Sequence, residues 1–352
     1  MRIISFDGGG IRGAFSARLI ERIEKERPGF VAKTTLFAGT SVGGFLALLL
    51  AKGIEPSTIV DLFVNRGQEI FADRGWLDRV SSVDELFQAD FDNQALYKEL
   101  HALLGDTTLA ELQSKVLVPA FDLDNQDEES KKTATRVYKA RFWKPKFMHN
   151  FEGPGCDGDL KAIDVAMRSS AAPTYFPSYQ GYVDGGLVDN NPAMSALAKA
   201  VKMGGATGMS EEHKELLSQV ATFIGKHQSD PGAKEIMQGL LKLLANQVAL
   251  LSVGTGLNPH YVSGKEHDWG FKQWLEGKKL LNLLFDGMID VPHYQCTQLL
   301  NGRYRRVNVL LDDPIDLADI DRVNDLIQIA DGVDLDTLLE WVDRVWWEGD
   351  AA

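Results

Sequence analysis

The segment TTLFAGTSVGGFLALLLAK, residues 34–52, sets a serine between a short apolar run and a longer one. TTLFA reads as a strand ending at Gly39, and the apolar stretch up to about Lys52 reads as a helix. Between them Gly39, Ser41 and Gly43 spell G-x-S-x-G. The motif takes its meaning from context: on a strand-to-helix turn, the serine Oγ projects from the carboxyl edge of a sheet. Gly39 and Gly43 then leave room where a Cβ would strike the neighbouring strand or helix. The helix aims its free N–H groups and partial positive charge at the same point. Ser41 is therefore the candidate nucleophile.

Upstream, the chain opens MRIISFDGGGIRG. Gly8, Gly10 and Gly13 follow a short apolar run and fit G-x-G-x-x-G, the pattern of a dinucleotide cradle. A dinucleotide fold also needs an acid at the end of its second strand, for the ribose hydroxyls. Here the second strand runs into GTSVGG instead, so no cofactor is expected and dinucleotide binding stands as the rival reading. The other use for such a loop is to stabilise an oxyanion. Gly8, Gly9 and Gly10 can present consecutive backbone N–H groups, because glycine tolerates the dihedrals this requires. Arg12 is placed to fix the loop or to add positive potential.

The remaining chain alternates helical and strand patterns. Phe15, Leu19, Ile20 and Ile23 recur at helical spacing in a helix near 12–27. Helices follow near 55–72 and 93–104, with strands at 116–124 and 134–142. IDVAMRSSAA reads as a helix and SYQGYVDGG as an extended piece with a turn. NNPAMSALAKAV reads as a helix capped by Asn190 or Asn191, with Pro192 in its first turn. VALLSVGTG and YRRVNVLL supply the last strands. This alternation predicts an α/β fold whose mostly parallel sheet is covered on both faces.

Composition narrows the setting. The 352 residues are 44% hydrophobic, which excludes a disordered chain. Two cysteines form no disulfide framework and suit a reducing compartment. Too few residues precede the glycines for a secretory signal, and no run approaches a membrane span. The expectation is a cytoplasmic protein. A net charge of −13 argues against nucleic acid as a partner. Residues 312–352 hold thirteen acids against two arginines, so the acidity belongs to the C-terminal part.

The nucleophile needs a base. None of the seven histidines stands in a triad context, and each reads as a solvated surface residue. Asp184 in YVDGG is better placed, because it precedes Gly185 and Gly186 at a tight turn like that of Ser41. A carboxylate held in a dry cleft can take a serine proton directly. Partial burial raises such a carboxyl, opposed by Arg12 or nearby helix N-termini. The expected acid limb of activity still lies below the histidine range, with activity largely retained near pH 6.

DGGGIRG, GTSVGG, AMRSSAAPTYFPSYQGYVDGGLVDNNP and LLSVGTG, in that order, together resemble the patatin-like phospholipase family over roughly residues 1–256. The resemblance implies a three-layer αβα sandwich. It implies hydrolysis of acyl esters of membrane phospholipids by a Ser–Asp dyad, without a metal. Ser41 matches the nucleophile and Asp184 the dyad aspartate. Gly8, Gly9 and Gly10, with Arg12 beside them, match the oxyanion loop. An acyltransferase using the same acyl-enzyme is the rival within catalysis. The compact length and added C-terminal region also resemble patatin-like effectors of bacterial anti-phage defence. That branch would bring a cyclic nucleotide activator, although no residue marks its site.

The chain departs from the family pattern at 204–247, where an inserted segment reads as two helices joined by SDPG. They read either as a surface hairpin or as a lid, regulatory or homo-oligomer surface. RFWKPKFMHNF (141–151) interleaves cations and aromatics and reads as a strand end returning to the core, or as a transient membrane contact. The helix WLEGKKLLNLLFDGMI (274–289) reads as core packing rather than membrane binding. The domain expectation is an acyl hydrolase domain over 1–311, with an acidic helical extension over 312–352 docked by one apolar face.

Overall fold

The computed structural model describes residues 1–70, 91–125, 141–204, 247–262 and 268–347. Seven strands form one sheet: β1 (Arg2–Phe6), β2 (Leu36–Gly39), β3 (Lys115–Asp122), β4 (Lys144–His149), β5 (Tyr182–Asp184), β6 (Ala249–Val253) and β7 (Tyr304–Val307). Their order is β4-β3-β2-β1-β6-β7, with β5 also paired to β3. β1, β2, β3, β6 and β7 run parallel, while β4 and β5 are antiparallel to β3. β2 pairs with Lys115–Leu117 of β3 and β5 with Ala120–Asp122, which brings Asp184 opposite Ala120.

The pleat sorts two cores, because successive side chains leave a strand on opposite faces. Ile4, Phe6, Phe37, Val116, Val118 and Leu251 join one buried cluster. Their neighbours Ile3, Leu36, Ala38, Leu117 and Leu250 join the other. The first face is covered by α1 (Gly13–Glu26), α2 (Val42–Lys52), α3 (Pro56–Ile70), α4 (Asn93–Leu104) and α5 (Ala162–Ser169). The second is covered by α6 (Ala193–Gly204) and the C-terminal half of α7 (Lys279–Leu300). The result is an αβα sandwich with a mostly parallel sheet, as the alternation of patterns predicts. The predicted anchors Phe15, Leu19, Ile20 and Ile23 of α1 are all buried.

From β1 the chain steps outward to β2 and β3, then returns to β6 and β7 on the other side of β1. The carboxyl ends of β1 and β6 therefore flank a topological switch point, where open α/β sheets place their crevices. The glycine loop leaves β1 there.

The sequence expectations shift in several places. The strand expected at 134–142 lies almost wholly outside the described residues. Within 141–151 the chain forms β4, with Met148 and Phe151 buried and Trp143 71% exposed. The insertion at 204–247 also lies almost entirely outside the described residues. The helix expected at 274–289 begins at Lys279 and continues to Leu300, with Pro292 inside it. It packs by one face only: Phe285, Ile289, Pro292, Cys296 and Leu300 are buried, while Leu280, Leu283, Leu284 and Val291 are exposed.

At the C-terminus, α8 (Val323–Asp331) and α9 (Asp336–Trp341) put Leu326, Leu338 and Trp341 into the first core, joined by Trp346. The acids here are only partly a solvated face. Asp331 pairs with Arg18 at 2.7 Å and Asp343 with Arg27 at 2.6 Å, both arginines lying on or beside α1.

Candidate active site

Ser41 lies between β2 and α2 with φ 55° and ψ −124°, a backbone conformation that a serine adopts only where its surroundings enforce it. The flanking glycines explain the enforcement. A Cβ on Gly39 would lie 1.9 Å from the Gly43 carbonyl oxygen, and one on Gly43 would lie 2.5 Å from that of Phe6. Strand and helix therefore approach too closely for any side chain at either position. The Ser41 side chain makes no capping bond to α2. Its backbone N–H donates to Ser169 Oγ (2.9 Å), and that hydroxyl donates to the Pro119 carbonyl (2.6 Å). Ser169 thus braces the turn from behind.

Asp184 ends β5. Its N–H donates to the Ala171 carbonyl at 3.0 Å, and its Oδ1 accepts from the Gly186 N–H at 2.7 Å. Gly185 lets the chain pass the Pro119 carbonyl, which a Cβ would meet at 2.3 Å. Burial pushes the Asp184 carboxyl up to about 7, against the Ser41 hydroxyl and the Gly186 N–H, which favour its ionised form. The rise expected from sequence is present but larger, because the carboxyl is almost fully enclosed and no cation offsets it. The expected acid limb moves up accordingly, into the histidine range. Asp189 is pushed up to about 7 as well, by burial against the Ser195 hydroxyl. Asp189 does not line the cleft that holds Ser41 and Asp184.

The glycine loop divides its labour. The Gly8 N–H donates to the Asn190 carbonyl at 2.9 Å, so it is already engaged. The Gly9 and Gly10 N–H groups have no hydrogen-bond partner among the described residues. Gly10 adopts φ +56° with the Leu317 carbonyl 2.1 Å from where its Cβ would stand, so glycine is required on two counts. Gly13 packs against the Val42 side chain, tying the loop to α2. Arg12 is 4% exposed and donates from Nη1 to the Gly256 carbonyl (3.0 Å) and from Nε to the Gly9 carbonyl (3.4 Å). Burial lowers its pKa, opposed by the nearby Asp286 and Asp316 carboxylates. Arg12 thus pins the loop to the chain beyond β6.

Two further groups hold the loop, and motif reading singled out neither for that purpose. Asp7 forms a two-pronged ion pair with Arg306 of β7 (2.6 and 3.2 Å), with Asp7 completely buried. Of the two candidate caps, Asn191 accepts from the Ala193 N–H (3.2 Å), while Asn190 donates from Nδ2 to the Phe285 carbonyl (3.1 Å). The only signals for these roles were the acid preceding DGGG's glycines and the NNP that follows DGG.

Gly8, Gly9, Gly10, Arg12, Ser41 and Asp184 all line one cleft of about 600 Å³, open solvent included. The rest of its wall is mostly apolar, with Phe45, Leu96, Tyr175, Phe176, Phe285 and Leu317. No described histidine lines it. His149 is buried against Lys199 instead of solvated, its Nε2 2.8 Å from Nζ. His213, His227 and His267 lie outside the described residues. Among those described, no cluster of side chains could hold a metal ion. The arrangement suits attack on an acyl carbonyl, because hydroxyl, carboxyl and free backbone donors converge in a cleft with mostly apolar walls.

The patatin-like phospholipase family model matches residues 4–197. Protein teg of Priestia megaterium is 30% identical over 292 residues, 83% of this chain and 72% of that protein. A cGAMP-activated phospholipase of Escherichia coli is 32% identical, covering 57% of this chain and 56% of that protein. Another from Pseudomonas aeruginosa is 26% identical, covering 92% of this chain and 83% of that protein.

Proposed function

Because the chain belongs to the patatin-like phospholipase family, we propose that it is a serine acyl hydrolase of phospholipids working through Ser41 and Asp184. The observation that carries this reading is the strained Ser41 turn beside a buried carboxyl whose pKa lies near neutrality, in one apolar cleft. Ionised Asp184 takes the Ser41 proton as Oγ bonds to the acyl carbonyl carbon. The oxyanion so formed receives the N–H groups of Gly9 and Gly10, with Gly8 and Arg12 holding the loop. Collapse breaks the ester bond, and Asp184 returns the proton to the leaving alcohol. Water then attacks the acyl-enzyme by the same route and releases a fatty acid.

All seven strands and the glycine loop, Ser41 and Asp184 fall within residues 1–311, which supports that span as the hydrolase domain, with 312–352 as an extension packed on it that lends Leu317 to the cleft wall. Among the described residues no helix is long and apolar enough to cross a membrane. The named activity of the relatives from Escherichia coli and Pseudomonas aeruginosa favours a cyclic nucleotide activator.

The test joins labelling to product analysis. A fluorophosphonate should label the wild type at Ser41 and nowhere else. Mass spectrometry should show fatty acid released from phospholipid, more so with cGAMP, and no new ester when an alcohol acceptor is added. Ser41→Ala should lose on the order of 10⁶ in kcat. Labelling at another residue, or activity in the alanine variant, would overturn the assignment.

A further inference from the structure

α7 is apolar on two opposite faces. At 3.6 residues per turn, Leu280, Leu284 and Val291 fall in one row, with Leu283 and Tyr294 in the next. Opposite them lie Phe285, Ile289, Pro292, Cys296 and Leu300, the buried row. The outward row is open: Leu283 is 53% exposed, Val291 57% and Tyr294 66%. A helix apolar on two faces has an unmet partner on one of them.

The inner face identifies that partner by position. Phe285 lines the cleft, and Leu281 packs against the cluster of Phe91, Tyr175 and Phe176 at its wall. Asn190 and Asn191 donate to the Phe285 and Ile289 carbonyls (3.1 and 2.9 Å), which clamps the helix to the segment carrying Asp184. One helix therefore has the acyl-binding cleft on one side and bare leucines on the other.

Cations and aromatics border the row at its N-terminal end. Lys278 Nζ stands 3.3 Å from the Tyr175 ring centre, and Lys279 Nζ lies 5.7 Å from the Trp269 ring centre and 3.9 Å from the Glu276 carboxylate, with the exposed Lys272 on the short helix Phe271–Leu275 before them. Trp269 and Trp274 stack edge to face beside them, 5.0 Å apart. Asp286 sits on the flank, within electrostatic reach of Arg12, whereas the exposed Asp290 falls in the Leu283–Tyr294 row near Arg306, one to two turns beyond the leucines. Leucines that enter an acyl layer, tryptophans at its edge and lysines against phosphates are the composition of a helix lying in a membrane interface.

We propose that the outward face of α7, led by Leu280, Leu283 and Leu284, docks on the phospholipid surface and brings the cleft mouth to it. The inference rests on the phospholipase reading given above. It is tested by co-sedimentation of the protein with phosphatidylcholine vesicles containing phosphatidylglycerol, with and without cGAMP. Hydrolysis of a soluble short-chain ester is measured in parallel. The variant carries Leu280→Gln, Leu283→Gln and Leu284→Gln, three exposed positions whose change leaves the core intact. It should lose about tenfold or more in vesicle partitioning and in vesicle hydrolysis, since it removes most of the inserted apolar area. Its short-chain ester activity should stay at the wild-type level. Wild type that never sediments with vesicles would overturn the docking face, as would unchanged partitioning of the variant. So would a variant that alters only the oligomeric state in analytical ultracentrifugation, which would make the row a self-association surface. Failure of the short-chain assay in wild type would instead count against the phospholipase reading itself, and vesicle binding would still be read without it.

Discussion

The carboxyl of Asp184 carries the most testable physics of any single residue here. With its pKa pushed up to about 7, kcat/KM should fall tenfold per pH unit below neutrality, because only the ionised form accepts the Ser41 proton. Asp184→Asn keeps the shape and removes the base, so it should be nearly inactive at every pH. The same shift has a stability consequence. A carboxyl whose folded pKa lies above its usual 3.8 binds protons more tightly in the native state, so stability falls as pH rises from about 4 to 7. Asp184→Asn removes that loss and should be more stable than wild type above pH 7, by up to a few kcal/mol. The two proteins should converge near pH 4. Thermal unfolding across that range measures it, and a variant less stable than wild type at pH 8 would contradict the burial argument. A pH profile alone would not separate aspartate from histidine here, since both would titrate near neutrality. Substitution does.

Among the elements, β7 acts on the site from outside the matched family segment. Arg306 reaches Asp7 at the root of the glycine loop, and both side chains are almost wholly buried. Arg306→Met would leave the Asp7 carboxyl buried without its partner, which typically costs about 3–5 kcal/mol. Adding Asp7→Asn to that variant should recover much of the loss, because the stranded charge is gone. Chemical denaturation of the three proteins tests this. An Arg306→Met variant with an unchanged midpoint would show that the pair does not hold the loop. The elbow, by contrast, is enforced locally by two glycines on a strand and a helix, which is why G-x-S-x-G was legible without any fold.

The whole molecule is closed by its C-terminal helices. Trp346 is completely buried and lies 4.7 Å from Phe30, ring centre to ring centre, at the far end of the first core. Trp346→Ala should lower stability by about 3–5 kcal/mol, as large-to-small core changes do. Asp343→Ala, which removes only the exposed pair with Arg27, should change the melting temperature little. Equal effects from the two variants would mean that this end is held by charge and not by packing. Much at this scale was written in the sequence: alternating periodicities named an α/β sheet, and turn chemistry placed Ser41, Asp184 and the glycine loop. Those features depend on neighbours a few residues away, so local pattern suffices for them. The tertiary structure alone decided the rest. It engages the Gly8 N–H with Asn190 and leaves Gly9 and Gly10 unengaged, because segments distant in sequence meet at the switch point. It raises Asp184 to neutrality, because burial is a property of everything packed around a group. It also leaves α7 half covered, because periodicity reports that a face is apolar and only packing reports whether anything lies against it.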